Sequence, residues 1–265
     1  MLLIGFLISL YIAYGAERRG ALTTAGAAWA VVVGTVIFGL GGGVPGLGLV
    51  AFFLTGTALS RYRKSEKSEL TAGIVAKGDC RDAIQVLANG GPAAVFCLLY
   101  AASDGPMFYV GALASLAAAT ADTWATEIGL LSPQRPRHVL TWQEVPPGTS
   151  GAVTAAGLVG TIAGALFIAL LSLGEPEHGT VLRALFITLG GIAGGLMDSI
   201  LGATVQEQRS CLHCGEPTEQ LRHPCGGQTV CTAGIPGLDN DMVNALSTAL
   251  GGVLAALAWW ITGMR

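Results

Sequence analysis

Apolar stretches recur along this chain with short breaks between them. They come in runs of about twenty with few charges, separated by short polar breaks. A hydrocarbon core of roughly 30 Å needs about 20 apolar residues per helical crossing, so each run reads as a membrane span. The pattern predicts helices over 2–16, 21–41, 45–60, 82–102, 106–130, 151–173, 181–205 and 240–262. The third is short. It reads either as re-entrant or as merging with the fourth through an interfacial stretch. Gly41-Gly42-Gly43-Val44-Pro45-Gly46 reads as a tight turn. Small residues inside spans are packing surfaces, because lipid gives helices no hydrophobic reason to associate and close approach must do it. Gly160 with Gly164, Gly190 with Gly194, and Gly191 with Gly195 have that spacing. Such faces serve contacts within one chain or between two, so a homodimer is compatible with them. The expected fold is all-α: a polytopic transmembrane bundle of about seven or eight helices. It forms a single domain over 1–265 with a Cys/His loop at about 206–238.

Composition supports a lipid-facing surface. Hydrophobic residues make up 52% of the chain, charged residues only 12%, and the mean hydropathy is +0.60. Soluble domains carry about 25% charged residues. A net charge of -3 gives no electrostatic basis for a nucleic-acid partner. The basic residues then orient the bundle. Arg18, Arg19, Arg61, Arg63, Lys64, Lys67, Lys77, Arg81, Arg135, Arg137, Arg209 and Arg222 fall in alternate loops, and only Arg183 and Arg265 fall opposite. The positive-inside rule puts the four basic loops in the cytoplasm and both termini outside. The first sixteen residues lack a basic n-region. They read as a retained helix rather than a secretory signal, although Tyr14-Gly15-Ala16 could mimic a cleavage site.

Charge inside a span is costly, and where it occurs it marks function. Asp122 and Glu127 lie in the cytoplasmic half of the fifth predicted helix, and Asp198 near the cytoplasmic end of the seventh. Asp239 and Asp241 open the eighth; Asp79 and Asp82 open the fourth. Capping accounts for acids that start helices. It does not account for Asp122 or Asp198, which sit late in theirs, where the dipole disfavours an anion. Asp82, Gln85 and Asn89 form a polar stripe at i, i+3, i+7, and Asp241, Asn244 and Thr248 repeat it. Amides at such depth need partners, either neighbouring helices or a bound polar ligand. Carboxylates beside Lys77 and Arg81 suit a Mg²⁺–phosphate ligand, the cations neutralising phosphate oxygens. Pro146-Pro147-Gly148-Thr149-Ser150-Gly151 precedes the sixth helix. A turn there offers backbone N–H groups to phosphate, and it reads equally well as an ordinary helix start. The Gly-Lys-Ser/Thr ending of a Walker A loop is absent.

Four cysteines lie between residues 211 and 231. Cys211 and Cys214 form a CxxC, followed by His223 and Cys225, a set that could close a tetrahedral Zn²⁺ site. Unligated thiols and a disulfide are the alternatives, the last disfavoured on a cytoplasmic face. Cys231 is a substitute for His223 or a spare, and the isolated Cys80 and Cys97 read as packing residues.

Asn89-Gly-Gly, the segment from Ala121 to Glu127, Val145-Pro-Pro-Gly-Thr-Ser-Gly151, Gly195-Leu-Met-Asp198-Ser199 and Leu238-Asp-Asn-Asp241-Met-Val-Asn244 occur in that order over about residues 20 to 262. Together they resemble one membrane family. It contains eukaryotic transmembrane protein nineteen and the plastid phytyl-phosphate kinase of tocopherol synthesis. Its Cys-xx-Cys…His-x-Cys-Gly loop is matched at Cys211, Cys214, His223, Cys225 and Gly226. The resemblance implies a kinase that converts a prenyl (phytyl-like) monophosphate to the diphosphate with Mg²⁺. CTP is the donor by analogy with related phytol and dolichol kinases, and ATP is the alternative. Asp122, Asp198, Asp239 and Asp241 are the expected carboxylates around Mg²⁺, and Lys77 and Arg81 the phosphate grips. Asn89, Glu127, Asn244 and the turn at Gly148, Thr149 and Gly151 are expected to orient nucleotide or acceptor. The expected partners are the prenyl-phosphate lipid, a nucleoside triphosphate and membrane lipid. The expected location is a prokaryotic plasma membrane, with the site on the cytoplasmic side.

Two other classes fit parts of the pattern. Intramembrane carboxylates serve ion- or proton-coupled transporters, usually near the midplane between repeats. The Asp-Thr at 122–123 and Asp-Ser at 198–199 suggest a parallel repeat at most. A lipid-phosphate cytidylyltransferase would need similar metals and grips, but would release pyrophosphate where a kinase releases CDP.

Overall fold

The computed structural model describes residues 1–174 and 181–263. Arg265, one of the two basic residues expected opposite the others, lies outside the described residues. Long helices dominate. They are α1 (Leu2–Arg18), α2 (Thr24–Val36), α3 (Gly43–Arg61), α5 (Ala83–Ser103), α6 (Pro106–Gly129), α7 (Ala155–Leu171), α8 (Val181–Thr204) and α9 (Asn240–Ile261). A seven-residue helix, α4 (Lys64–Leu70), precedes α5. Among the described residues, six helical stretches are long and apolar enough to cross a membrane: Thr24–Gly41, Gly43–Arg61, Ala83–Ser103, Ala155–Gly174, Val181–Thr204 and Asn240–Ile261. The all-α transmembrane bundle read from the hydropathy pattern is the observed architecture.

The bundle is built around α6. Every residue from Tyr109 to Ala121 is buried, the signature of a helix enclosed on all sides. Its alanine-rich surface lets α3, α5, α7, α8 and α9 approach it. A Cβ on Gly164 would lie 2.9 Å from the Thr120 carbonyl oxygen, and one on Gly194 would lie 2.5 Å from the Ala118 Cβ. The small-residue faces are therefore consumed within the chain, α7 and α8 against α6. Outward, α7 shows Val159, Ile162, Leu166 and Leu170, as a lipid-facing stripe should.

Several local expectations are corrected. The third helix is neither short nor re-entrant, because α3 runs uninterrupted for 19 residues. The glycine-rich turn before it narrows to Gly42 (φ 89°), which follows a π-helical turn at Ile37–Gly41. The sixth predicted helix begins at Ala155 rather than 151. The preceding residues pair instead, β1 (Arg137–His138) antiparallel to β2 (Ala152–Val153), and Thr154 caps α7 by accepting from the Gly157 N–H. Asp79 does not open α5. That role belongs to Asp82, in a capping box with Gln85, while Asp79 pairs with Lys64 in the loop. Cys80 is exposed rather than packed, whereas Cys97 is buried. The cysteine loop holds a three-stranded sheet in the order β4-β3-β5, formed by β4 (Pro217–Thr218), β3 (Gln208–Cys211) and β5 (Thr229–Ala233).

The loops at one end of the bundle are tied together. The Arg81 N–H donates to the Ala21 carbonyl and the Thr23 N–H to the Arg81 carbonyl, both at 3.0 Å. Glu219 in the cysteine loop donates its N–H to the Ile74 carbonyl at 2.8 Å, and the Gln220 side-chain amide donates to the Val75 carbonyl at 2.9 Å. These ties gather the basic loops around a shared space.

Candidate active site

That space is a polar cavity of about 2370 Å³, open mouth included. Its floor is made by helices that reach it from opposite directions. Asp122 stands in the last third of α6, Asp198 in the last third of α8, and Asn244 near the start of α9. Asp122 and Asp198 are within hydrogen-bonding reach of each other. With its amide assigned by its neighbours, Asn244 donates to Asp122 Oδ2 (3.3 Å) and Asp198 Oδ2 (3.0 Å), and accepts from the Asn240 amide (3.1 Å). Ser247 adds a hydroxyl donor to Asp198 Oδ2 at 2.9 Å. Two facing carboxylates repel unless a proton or a cation lies between them. Hard oxygen donors from separate helices, open to a cavity, are a donor set suited to Mg²⁺.

Cations line the cavity as well, most of them paired with carboxylates. Lys64, Lys67, Lys77 and Arg81 all line it. Lys77 pairs with Asp82 at 2.7 Å and with Asp241. Burial opposes its charge, but the hydrogen bonds and charges of Asp241 and Asp82 outweigh that and raise its pKa above the ordinary lysine value. Lys64 holds Asp79 at 2.8 Å and keeps that carboxyl below its usual range. Lys67, only 5% exposed, reaches Glu127 at 2.5 Å, and Ser60 donates to the other oxygen of that carboxylate. Desolvation pulls the Arg81 guanidinium down to about 10, with the Glu127 charge opposing, so it stays cationic at neutral pH. Among the described residues no hydrogen bond engages that guanidinium. It lies over the rings of Phe52 (4.7 Å) and Phe53 (5.7 Å).

The predicted residues therefore divide. Asp122, Asp198, Asn244, Lys77, Arg81, Asn89, Glu127 and the turn at Gly148, Thr149 and Gly151 all border the cavity. The turn does so as a loop packed against the end of α8, where Gly151 abuts Ala203, and not as a helix N-terminus. Asp239 is exposed and caps α9 by accepting from the Met242 N–H at 3.0 Å. Asp241 is buried against Lys77 rather than facing the paired carboxylates. Lys67 was read in the sequence only as a basic loop residue, and Ser60 and Glu219 were not singled out. Glu219 accepts from Ser150 (2.8 Å) and Gln206 (2.7 Å), and burial holds its pKa above the ordinary glutamate value. No spacing marks these residues, since a serine at a helix end and charges in polar stretches are ordinary.

Beside the cavity, one ligand atom from each of Cys211, Cys214, His223 and Cys225 lies within 4.8 Å of the others. Cys211 Sγ and Cys225 Sγ are 3.4 Å apart, and Cys214 Sγ is 3.5 Å from His223 Nδ1. Backbone N–H groups of Cys214 and His213 favour the Cys211 thiolate and hold that thiol down to about 7. Such edges suit a tetrahedral ion with bonds of about 2.3 Å to sulfur. Cys231 stands apart, within 3.5 Å of the Ala233 carbonyl.

Residues 7–252 match the family described as integral membrane protein DUF92. An uncharacterized membrane protein of Methanocaldococcus jannaschii is 32% identical over 215 residues, covering 80% of this chain and 74% of its own. Protein PGR of Arabidopsis thaliana is 29% identical over 97% of this chain and 96% of its own. Protein VTE6, chloroplastic, from the same plant, is 24% identical over 89% of this chain and 65% of its own. No solved structure shows a significant match.

Proposed function

The chain belongs to the DUF92 family of integral membrane proteins, and from that footing we propose that it is a prenyl-phosphate kinase, moving a phosphoryl group from CTP or ATP onto a phytyl-like monophosphate. The resemblance read from the motifs agrees with this family and with the chloroplastic relative. The observation that carries the reading is the meeting of Asp122 and Asp198 on the floor of a cavity ringed by Lys64, Lys67, Lys77 and Arg81. Paired carboxylates in one cavity with lysines and the Arg81 guanidinium suit a metal–polyphosphate ligand better than they suit a bare ion path. The pair also stands towards one end of the bundle, whereas a transporter site would sit near mid-span.

A bound Mg²⁺ would supply charge neutralisation at the donor phosphates. Asp122 and Asp198 would hold it, with Asn244 and Ser247 fixing the carboxylate rotamers. The acceptor is a phosphate monoester, already anionic near neutral pH, so no strong general base is required. What the chain must provide is in-line placement and positive charge. Arg81 would face the acceptor phosphate. Lys77, held by Asp82 and Asp241, would place its ammonium at the cavity edge for the donor. The loop that carries Gly148, Thr149 and Gly151 walls the other side. The Cys/His cluster would hold a structural Zn²⁺ that fixes the cysteine loop over this cavity.

The test is purified protein in detergent with a C20 prenyl monophosphate, Mg²⁺ and either nucleotide, followed by mass spectrometry. The expected result is prenyl diphosphate with stoichiometric CDP or ADP. Pyrophosphate release with a cytidylylated lipid would assign the rival transferase, and no product with any nucleotide would remove the enzymatic reading.

A further inference from the structure

A second crevice, narrower than the polar cavity, lies between α1, α2, α3 and α5. Its walls are apolar, among them Ala30, Val33, Leu49, Val50 and Phe53. It shares three residues with the polar cavity: Arg81, Gln85 and Asn89 border both. An apolar slot and a polar vestibule thus meet at one neck, and the group at that neck is a cation.

The sequence explains how the cation is held there. Phe52 and Phe53 of α3 lie under the guanidinium, and Gly56, one turn on, leaves room for it. A Cβ on Gly56 would lie 2.6 Å from Arg81 Nη2. The backbone of Arg81 is pinned to Ala21 and Thr23. Its planar donors are left unspent by hydrogen bonds among the described residues, at a point where an anionic head and an apolar tail would separate. Planar guanidinium geometry matches phosphate oxygens.

We infer that the α1/α2/α3/α5 crevice is the tail site of the lipid phosphate, a single isoprenyl chain lying among Ala30, Leu49, Val50 and Phe53 with its phosphate against Arg81 at the neck. The inference rests on the lipid-phosphate half of the function proposed above and specifies where that substrate enters. Each methylene buried in such a slot is worth roughly a factor of four in affinity, so the crevice sets chain-length preference while the neck selects the charged head.

Photo-crosslinking tests this without requiring turnover. Full-length protein in detergent is irradiated with a prenyl monophosphate carrying a diazirine at the tail end, and labelled peptides are mapped. Label on α1–α3 residues lining the crevice is expected. Ala30→Trp and Val50→Trp, each checked for a monodisperse elution profile, should each lower that label at least fivefold. Unlabelled prenyl phosphate should compete about tenfold better than the prenyl alcohol, and Arg81→Gln should erase that difference. Label on the outer faces of α7 or α8, or label unchanged by both tryptophans, overturns the inference. So does competition by phosphatidic acid equal to that by prenyl phosphate, which would assign the crevice to diacyl lipids. Crevice labelling in a protein that forms no diphosphate upholds the tail site and removes the kinase reading instead.

Discussion

Asp122 and Asp198 could be picked out because a carboxylate in an apolar run has few structural excuses, whereas a carboxylate in a polar loop has many. Each would be required for metal-dependent turnover. Asp122→Asn and Asp198→Asn should each lower diphosphate formation by about a hundredfold or more while leaving the elution profile unchanged. Asp239→Asn, altering only an exposed cap, should stay within about threefold of wild type. Glu219 illustrates the opposite visibility. Its sequence context is unremarkable, yet burial beside Ser150 and Gln206 raises its pKa above the ordinary value of 4.5. The folded state therefore binds that proton more tightly than the unfolded chain. Its contribution to stability is full below pH 4.5 and is lost as pH rises through the raised folded value. A thermal-unfolding series over that window should show the decline in wild type and a flatter profile for Glu219→Gln.

At the scale of elements, the spans were readable because membrane helices advertise themselves in runs of about twenty apolar residues. The smaller pieces were not. The charged α4 has no apolar run, and β3 (Gln208–Cys211) has no alternation of apolar and polar residues to mark a strand. The start of α7 was misplaced because Gly148-Thr149-Ser150-Gly151 resembles a helix opening, while its tertiary role is to pack against the end of α8. Gly164→Leu would drive a side chain into the backbone of α6 at Thr120, and should destabilise the bundle by about 1–3 kcal/mol, seen as a lower unfolding midpoint in detergent. If Zn²⁺ joins Cys211, Cys214, His223 and Cys225, a strong chelator should expose the 206–238 loop to limited proteolysis. Cys214→Ser should reproduce that sensitivity, and Cys231→Ser should not.

The whole molecule is an enclosed helix, α6, with five long helices packed on it and its polar loops drawn together at one end. That organisation makes residues far apart in sequence into neighbours: Asp122 with Asp198 and Asn244, Arg81 with Phe52, Glu219 with Ser150. The sequence showed which helices exist and which carry acids. It could not show that Asp241 would turn to Lys77, or that Lys67 would be buried on Glu127, because those choices depend on helix rotation. The proposed function requires the Asp122–Asp198 pair to hold a divalent cation, which Mn²⁺ titration followed by electron paramagnetic resonance can read out. Saturable Mn²⁺ binding is expected, displaced by Mg²⁺, lost in Asp122→Asn and in Asp198→Asn and kept in Asp239→Asn. Binding that survives both of the first two substitutions would contradict that requirement.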